Sequence, residues 1–371
     1  MILEQLTLLN YKNIEEAILS FSPNVYCLIG DNGMGKTNVL DAIYYLSFCK
    51  SASLLPDHQI IRHEADLMML QGRYRNAVGE IDVISCGLKR GQRKHFKCND
   101  KEYKRLSEHL GRIPLVMISP SDSSLVSGGG EERRRFMDIV ISQANPSYLE
   151  ALIRYGKSLQ QRNALLKQEE PDWGFCDVLD MMMSADAEVI CTARRDMVRA
   201  FLPVFQDLYG RLCNSANESV GISLTTHADR GPLLPILAAW REREHIVGYT
   251  LHGPHKDNLE LSLNGYEVRR EGSQGQTKTF FIAMKLAQFL YLKSIGLSRT
   301  PILLLDDIFD KLDAGRVRRI IELVSGDDFG QIFITDTNRE HLDSMLHALA
   351  SRNAQMCCYK LFGVDCGVVK G

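Results

Sequence analysis

The residues Gly30-Asp31-Asn32-Gly33-Met34-Gly35-Lys36-Thr37 fit the phosphate-binding loop pattern GxxxxGK[ST]. In such a loop successive backbone N–H groups converge on an anion, and the following helix N-terminus adds positive partial charge. Lys36 would reach the outer phosphates and Thr37 would offer its hydroxyl to Mg²⁺. Far along the chain, Ile302-Leu303-Leu304-Leu305-Asp306-Asp307 is a buried-strand pattern that delivers two carboxylates at its tip. Asp306 is expected to hold Mg²⁺ through water, and Asp307 to orient and activate an attacking water; the bland alternative for either is a strand-end cap. One nucleotide site needs both fragments, so the two halves of the chain must meet and the middle must be lobe or insertion.

Periodicity shows what would position these groups. Ile2, Leu6 and Leu8 fall on even spacings, and Val25-Tyr26-Cys27-Leu28-Ile29 is an apolar run leading into Gly30. Val39, Leu40, Ile43, Tyr44 and Ser47 then follow helical spacing, giving the strand–loop–helix order a phosphate loop requires. Residues 68–105 alternate as antiparallel strands (Met69–Tyr74, Glu80–Ile84, Lys94–Lys97) around a turn at Arg90-Gly91. Leu115–Ile118 is a buried strand. At Gly128-Gly129-Gly130 the character changes to helix, over 131–143, Leu149–Leu166 and 175–212. A ~20-residue helix is ~30 Å long, which suggests a short arm and no long coiled coil. Strands are expected again at Gly248–Leu251 and Leu259–Leu263 with a turn at Asn264-Gly265, then a helix from Phe280 to Tyr291, and strands Ile302–Leu305 and Ile332–Thr335. The reading is an α/β head with a mixed sheet and an antiparallel subdomain, formed by residues 1–124 and 246–371, carrying a mainly helical arm at 125–245.

The 371 residues, 45% hydrophobic and 24% charged, suit a globular protein of two domains. A net charge of −2 names no nucleic-acid partner, so only local clusters could. No apolar run approaches the ~20 residues of a membrane span, so a cytoplasmic protein without a membrane partner is expected. The ten cysteines form no CxxC pair, and the adjacent Cys357-Cys358 suits neither a metal site nor an ordinary disulfide; all read as reduced thiols. The histidines show no metal-ligand spacing in sequence, and no Ser/His/Asp or Cys/His arrangement emerges.

Ser273-Gln274-Gly275-Gln276 stands before a helix and shortly before the acidic strand. SxGQ, helix, then a strand ending in two acids resembles the ABC-type ATPase pattern. The resemblance implies that Ser273, Gly275 and Gln276 contact the γ-phosphate held by a second copy, and that Leu312-Asp313 is the loop bridging the two sites. Thr335-Asp336-Thr337 stands where that pattern carries a histidine, which suggests slow ATP turnover.

Other stretches narrow the family. Asn10-Tyr11-Lys12-Asn13, Gly30–Asn38, Glu132-Arg133-Arg134-Arg135-Phe136-Met137-Asp138, Gln161–Lys167, Gly253-Pro254-His255-Lys256-Asp257, Ser273–Gln276 and Leu303–Asp313 together resemble the RecF family, DNA-repair ATPases related to SMC proteins, over essentially the whole length. The resemblance adds Lys12, Asn13 and Asn38 to the ATP contacts. It implies an ATP-dependent head-to-tail homodimer around two ATP molecules with Mg²⁺. Such a clamp would bind gapped or single-strand/double-strand junction DNA and help RecO and RecR load the recombinase RecA. Lys12 and Lys256 stand where arginine is commoner, which keeps charge and loses the bidentate fork; the usual Leu before Ser273 is also missing.

Between Lys89 and Arg105, the residues Lys89, Arg90, Arg93, Lys94, Lys97, Lys101, Lys104 and Arg105 face only Asp100 and Glu102. Such a cluster either neutralises DNA phosphates, with Lys89, Arg90, Arg93, Lys94 and Lys97 as the expected contacts, or is a solvated hairpin edge protected by lysines. Arg133, Arg134 and Arg135 read as a structural tie of the arm, with a phosphate contact as the alternative. His255 either senses nucleotide or fixes a turn. Rival classes are an SMC-like or ATP-gated nuclease subunit, for which no further cluster of metal-binding acids is visible, and a transporter-energising subunit, which would lack the long insertion. A DNA-binding protein with a vestigial loop is opposed by the intact Lys36, Thr37, Asp306 and Asp307.

Overall fold

The computed structural model describes all residues except 23–24, 214–217, 296–298, 310–311, 327, 338–358 and 371, so Cys357 and Cys358 lie outside the described residues. The chain divides into two compact units, Met1–Asp122 with Lys285–Gly371, and Ser123–Met284.

The first unit begins with β1 (Ile2–Tyr11), β2 (Ile14–Ser20), β3 (Val25–Ile29), α1 (Lys36–Phe48), the single turn α2 (Asp57–Ile60), β4 (Leu67–Arg75), β5 (Ile81–Lys89), β6 (His95–Cys98), β7 (Lys101–Glu102) and β8 (Leu115–Ile118). The second carries α3 (Ser124–Ser127), α4 (Gly130–Ser142), α5 (Pro146–Leu165), α6 (Trp173–Cys213), β9 (Val220–Thr225), α7 (Leu233–Val247), β10 (Asn258–Leu263), β11 (Tyr266–Glu267) and α8 (Val268–Glu271). The division falls inside α9 (Gln274–Ser294), after which come β12 (Ile302–Asp306), α10 (Ala314–Val324), β13 (Ile332–Asp336), β14 (Tyr359–Asp365) and β15 (Val368–Lys370).

Two sheets build the first unit. One is antiparallel, in the order β2-β1-β4-β5-β6-β7. Strand β4 alternates buried and exposed side chains, the pattern of a sheet with one covered face. The other sheet, β15-β14-β3-β13-β12-β8, is parallel except for the terminal β14–β15 hairpin. In β12 every residue is buried, as a strand covered on both faces must be. Its register sets Asp306 beside Thr335 of β13, while Asp336 lies beside Ile29 at the end of β3. The carboxyl ends of three strands therefore converge where the phosphate loop begins, the edge at which such sheets hold ligands.

In the second unit, β9, β10 and β11 form an antiparallel sheet joined to the helices. The expected boundary at residue 246 moves to Met284, because β9 pairs with β10 and draws residues 246–284 into this unit. The expected strand Gly248–Leu251 is not formed: Gly248, with φ 76°, ends α7 in the left-handed conformation that favours glycine. The turn at Asn264-Gly265 is present, with both residues at positive φ (52° and 82°). The helix expected over 175–212 is α6, 41 residues long. At 1.5 Å per residue it measures roughly 60 Å, twice the length from which a short arm was inferred. Buried ion pairs brace it: Arg162 of α5, fully buried, binds Asp180 of α6 and Glu244 of α7. Arg194 of α6 bonds Asp138 of α4 and Asp257.

Candidate functional site

The loop following β3 is shaped by Gly33 (φ 82°) and Gly35 (φ 114°), the latter serving as the residue before α1. A side chain at Gly35 would also collide with Asn13, whose Oδ1 lies 2.8 Å from the position a Cβ would take. Asn13 braces the loop from outside. Its Nδ2 donates to the Met34 carbonyl (3.2 Å) and its Oδ1 accepts from Asn38 (2.7 Å). The β14–β15 turn supports the same loop, with Gly367 N–H donating to the Met34 carbonyl at 2.9 Å. This hairpin contact gave no signal in sequence.

Lys36 is nearly buried, and its ammonium donates to the carbonyls of Gly30 (2.6 Å) and Asp31 (2.9 Å), curling back over the loop. Thr37 Oγ1 donates to Asp306 Oδ1 at 2.9 Å, so the two fragments meet across 269 positions of sequence. Thr335 Oγ1 donates to the same oxygen at 2.7 Å and accepts the Asp307 N–H at 3.0 Å. One hydroxyl thus fixes both acids, a role that became visible only once β12 and β13 were paired. Burial pushes the Asp306 carboxyl above the usual carboxylate range, the hydroxyls of Thr335 and Thr37 oppose that shift, and Asp307 adds to it. Asp307 itself has φ 49°, the left-handed region that a non-glycine residue occupies at a cost. It lines a cleft of about 130 Å³ with Asn32, Gly33, Gly35, Lys36, Thr37, Asn38 and Thr335. Thr37 and Asp306 offer only oxygen, a donor set that suits a hard cation such as Mg²⁺.

The whole chain matches known proteins. The family model described as RecF/RecN/SMC N terminal domain matches residues 2–358. "DNA replication and repair protein RecF" of Phocaeicola vulgatus is 53% identical over 370 residues, covering 100% of this chain and 98% of that one. The chain belongs to the RecF family. A RecF of Bacteroides fragilis is 52% identical, again over 100% of this chain and 98% of its own. The solved structure of the recombination mediator protein RecF-ATPrS in the RecFOR pathway superposes with TM-score 0.87 at 25% identity, covering 100% of this chain and 97% of that one. An Smc head domain from Pyrococcus furiosus shares the fold alone, with TM-score 0.58 and 17% identity over 99% and 95% of the two chains. The fold is therefore an ABC-type ATPase head of the SMC-like superfamily.

The remaining expected residues of this RecF-family chain have settled places. Lys12, with φ 52°, sets its ammonium on Asp41 Oδ2 at 2.6 Å; Asp41 is buried and also accepts from Tyr11, Ser51 and the Ala52 N–H. Ser273 and Gln276 cap the start of α9 reciprocally: Gln276 N–H donates to Ser273 Oγ at 3.2 Å and Ser273 N–H to Gln276 Oε1 at 2.9 Å. Ser273 is exposed, Gly275 lies in the first turn, and its carbonyl accepts from Thr279. Asp313 caps α10, accepting the Arg316 N–H at 2.9 Å, and that bond holds its carboxyl below the usual range.

The basic hairpin separates into two groups. Arg90 donates to the carbonyls of Ala65, His58, Ile61 and Arg62. Lys94 donates to the Cys49 carbonyl at 2.6 Å and pairs with Asp57 at 3.1 Å. These two cations serve the fold. Lys89 and Arg93 are exposed, and Lys97 lies in β6 opposite Glu102. In the second unit, Arg133 and Arg134 donate to the carbonyls of Leu259 and Asp257, ties from α4 to the start of β10. His255 has both ring nitrogens engaged, by Tyr155 Oη at 2.7 Å and the Thr250 carbonyl at 3.0 Å, and so fixes the turn.

Proposed function

We propose that this chain is an ATP-dependent DNA-binding protein of DNA replication and recombinational repair. Two copies close head to tail around two ATP molecules, hold gapped or single-strand/double-strand junction DNA, and open on hydrolysis. Through RecO and RecR, this clamp would assist the loading of RecA. The observation that carries the reading is the bond between Thr37 and Asp306, with Asp307 lining the same cleft, in a chain of the RecF family.

The chemistry is phosphoryl transfer to water, driven by positioning and charge. Lys36 exchanges the carbonyls of Gly30 and Asp31 for phosphate oxygens, while the loop N–H groups and the start of α1 face the anion. Asp307 takes the water, and its left-handed backbone, tied to Thr335, fixes where its carboxylate points. Thr37 and Asp306 are the residues that would hold Mg²⁺, which when bound supplies positive charge to the phosphates. Asn13 and Asn38 keep the loop in shape, and Lys12, paired with Asp41 of α1, would have to leave that partner to meet ATP. In the closed dimer, Ser273, Gly275 and Gln276 at the exposed start of α9 meet the γ-phosphate held by the other copy, and Asp313 lies between the two sites. DNA is met by the exposed Lys89 and Arg93 of the hairpin and by the half-buried Lys97 of β6; Arg90 and Lys94 are withdrawn from that set because each is committed to internal acceptors.

Sedimentation of wild type and Ser273→Arg, with and without ATP-Mg²⁺ and gapped DNA, tests the reading. The expected result is a dimer that forms only with ATP, retains gapped DNA, and is lost in the variant. A monomer under every condition would overturn the clamp and the trans roles of Ser273 and Asp313.

A further inference from the structure

A second cluster of ligand-type side chains lies in the second unit, remote in sequence from the phosphate loop. It is the one group of three or more such residues with converging ligand atoms among the described residues: Cys191 in the middle of α6, His227 just after β9, and Asp257 just before β10. His227 Nδ1 is 3.9 Å from Cys191 Sγ and 3.9 Å from Asp257 Oδ1, and all three ligand atoms lie within 4.8 Å of one another. Bonds of about 2.0–2.3 Å to a shared tetrahedral ion place ligand atoms roughly 3.5 Å apart, so only a small contraction is needed.

Asp257 supplies the independent observation. Its side chain is fully buried, and Oδ2 is held by Arg194 at 2.7 Å, while Oδ1 has no hydrogen-bond partner and faces His227. A buried carboxylate oxygen without a donor is costly, and such groups call for a missing partner. Water is one candidate. The neighbours favour a cation. Cys191 and His227 add sulfur and imidazole: Cys191 Sγ shares a hydrogen bond with Thr226 Oγ1 at 3.5 Å, and its contact with His227 Nδ1 is longer, at 3.9 Å.

Charge points the same way. Arg194 faces two carboxylates, the buried Asp257 and the partly exposed Asp138, which leaves this set one negative charge in excess. A dication that displaces the thiol proton of Cys191 to solvent adds two positive charges and one negative, and the set becomes neutral. Arg195 nearby is already matched by Asp229. Burial holds the Cys191 thiol up at about 11 and the His227 imidazole low, so before binding the ligands are a thiol and a neutral imidazole. The imidazole is then ready to coordinate and only the thiol must lose a proton. Arg194, itself bonded to Asp138, orients the carboxylate in the way outer-shell partners orient metal ligands.

We propose that Cys191, His227 and Asp257 form a structural site for one divalent cation of the zinc class, with a fourth position for water. The mixture of thiolate, imidazole and carboxylate suits Zn²⁺ and excludes Mg²⁺, which the oxygen donors Thr37 and Asp306 suit. The site fastens α6 to the segments flanking β9 and β10, and is independent of the nucleotide reading. Sequence could not reveal it, since its ligands are separated by 36 and 30 positions.

The test uses the full chain, stripped of metal by chelator and free of nucleotide, titrated with Co²⁺ alone as a spectroscopic probe. The expected spectrum has strong tetrahedral ligand-field bands with a thiolate charge-transfer band, saturating at one Co²⁺ per chain and lost when Zn²⁺ is added. Cys191→Ser should remove the charge-transfer band, and His227→Gln should weaken Co²⁺ binding by more than about tenfold. Circular dichroism of the metal-free variants checks that they fold; His227→Gln, at the edge of the cluster, decides if Cys191→Ser does not. A weak octahedral spectrum, or a tetrahedral one unchanged in His227→Gln, would overturn the proposal.

Discussion

Asp307 is one of ten non-glycine residues at positive φ among the described residues, and it is the one that directly follows the acidic strand. At φ 49° it occupies a region that costs an aspartate roughly 1 kcal/mol, and its N–H is held there by Thr335. Other residues share that conformation at ordinary turns; what supports a role for Asp307 is that it also lines the cleft beside Lys36 and Thr37. The neighbouring Asp306, in the ordinary strand conformation and fixed by two hydroxyls, is the acid we propose for the metal side. The two roles separate in Asp307→Asn. Asparagine tolerates left-handed backbone at least as well, so thermal stability should be equal or slightly higher. ATP binding, followed by a fluorescent analogue, should persist while phosphate release falls by about 100-fold or more. Loss of binding in parallel with turnover would contradict this division of labour.

At the scale of elements, the β5–β6 hairpin shows why a charge count does not identify a binding surface. Its basic residues have equal weight in the sequence, yet Arg90 closes over four carbonyls and Lys94 anchors the hairpin beside the end of α1. Lys89→Glu with Arg93→Glu should weaken gapped-DNA binding and reduce the salt slope of the affinity by about two, since each phosphate contact contributes about one. Lys94→Ala should leave that slope intact and lower stability by about 1–3 kcal/mol, through the unpaired Cys49 carbonyl. A slope unchanged in the double variant would remove the hairpin from the DNA site. The same contrast explains what could be read in advance. The phosphate loop, the acidic strand and α6 were legible because each is written in consecutive residues with its own period. The double role of Thr335, the hairpin behind Met34 and the pairing of β9 with β10 depend on register between distant strands, which no local window contains. Gly248–Leu251 misled because its apolar residues follow a helix end, where glycine at positive φ decides the path.

For the molecule as a whole, each compact unit contains a histidine that its surroundings keep uncharged, and this bears on how the protein meets acid. His109 in the first unit lies between the Leu46 carbonyl of α1 and Tyr103; burial brings it down to about 4, with the Leu46 bond opposing. His255 in the second unit is likewise lowered to about 4, chiefly by burial and against its bond to the Thr250 carbonyl. The ordinary value is 6.5, so between these limits the unfolded chain binds a proton that the folded unit refuses. The contribution of each of these histidines to stability is therefore complete above pH about 6.5, declines as pH falls toward about 4, and is lost below, on the order of 3 kcal/mol per histidine. Denaturant unfolding followed across this window should show the decline. His109→Gln should flatten the part belonging to the first unit, which Mg²⁺-ATP, on the proposed function, would also stabilise by binding its folded state. His255→Gln should flatten the part that nucleotide leaves unchanged. If both variants kept the wild-type pH slope, protonation of other groups would control acid unfolding, and the carboxylates of the buried Arg162 and Arg194 networks would be the next residues to titrate.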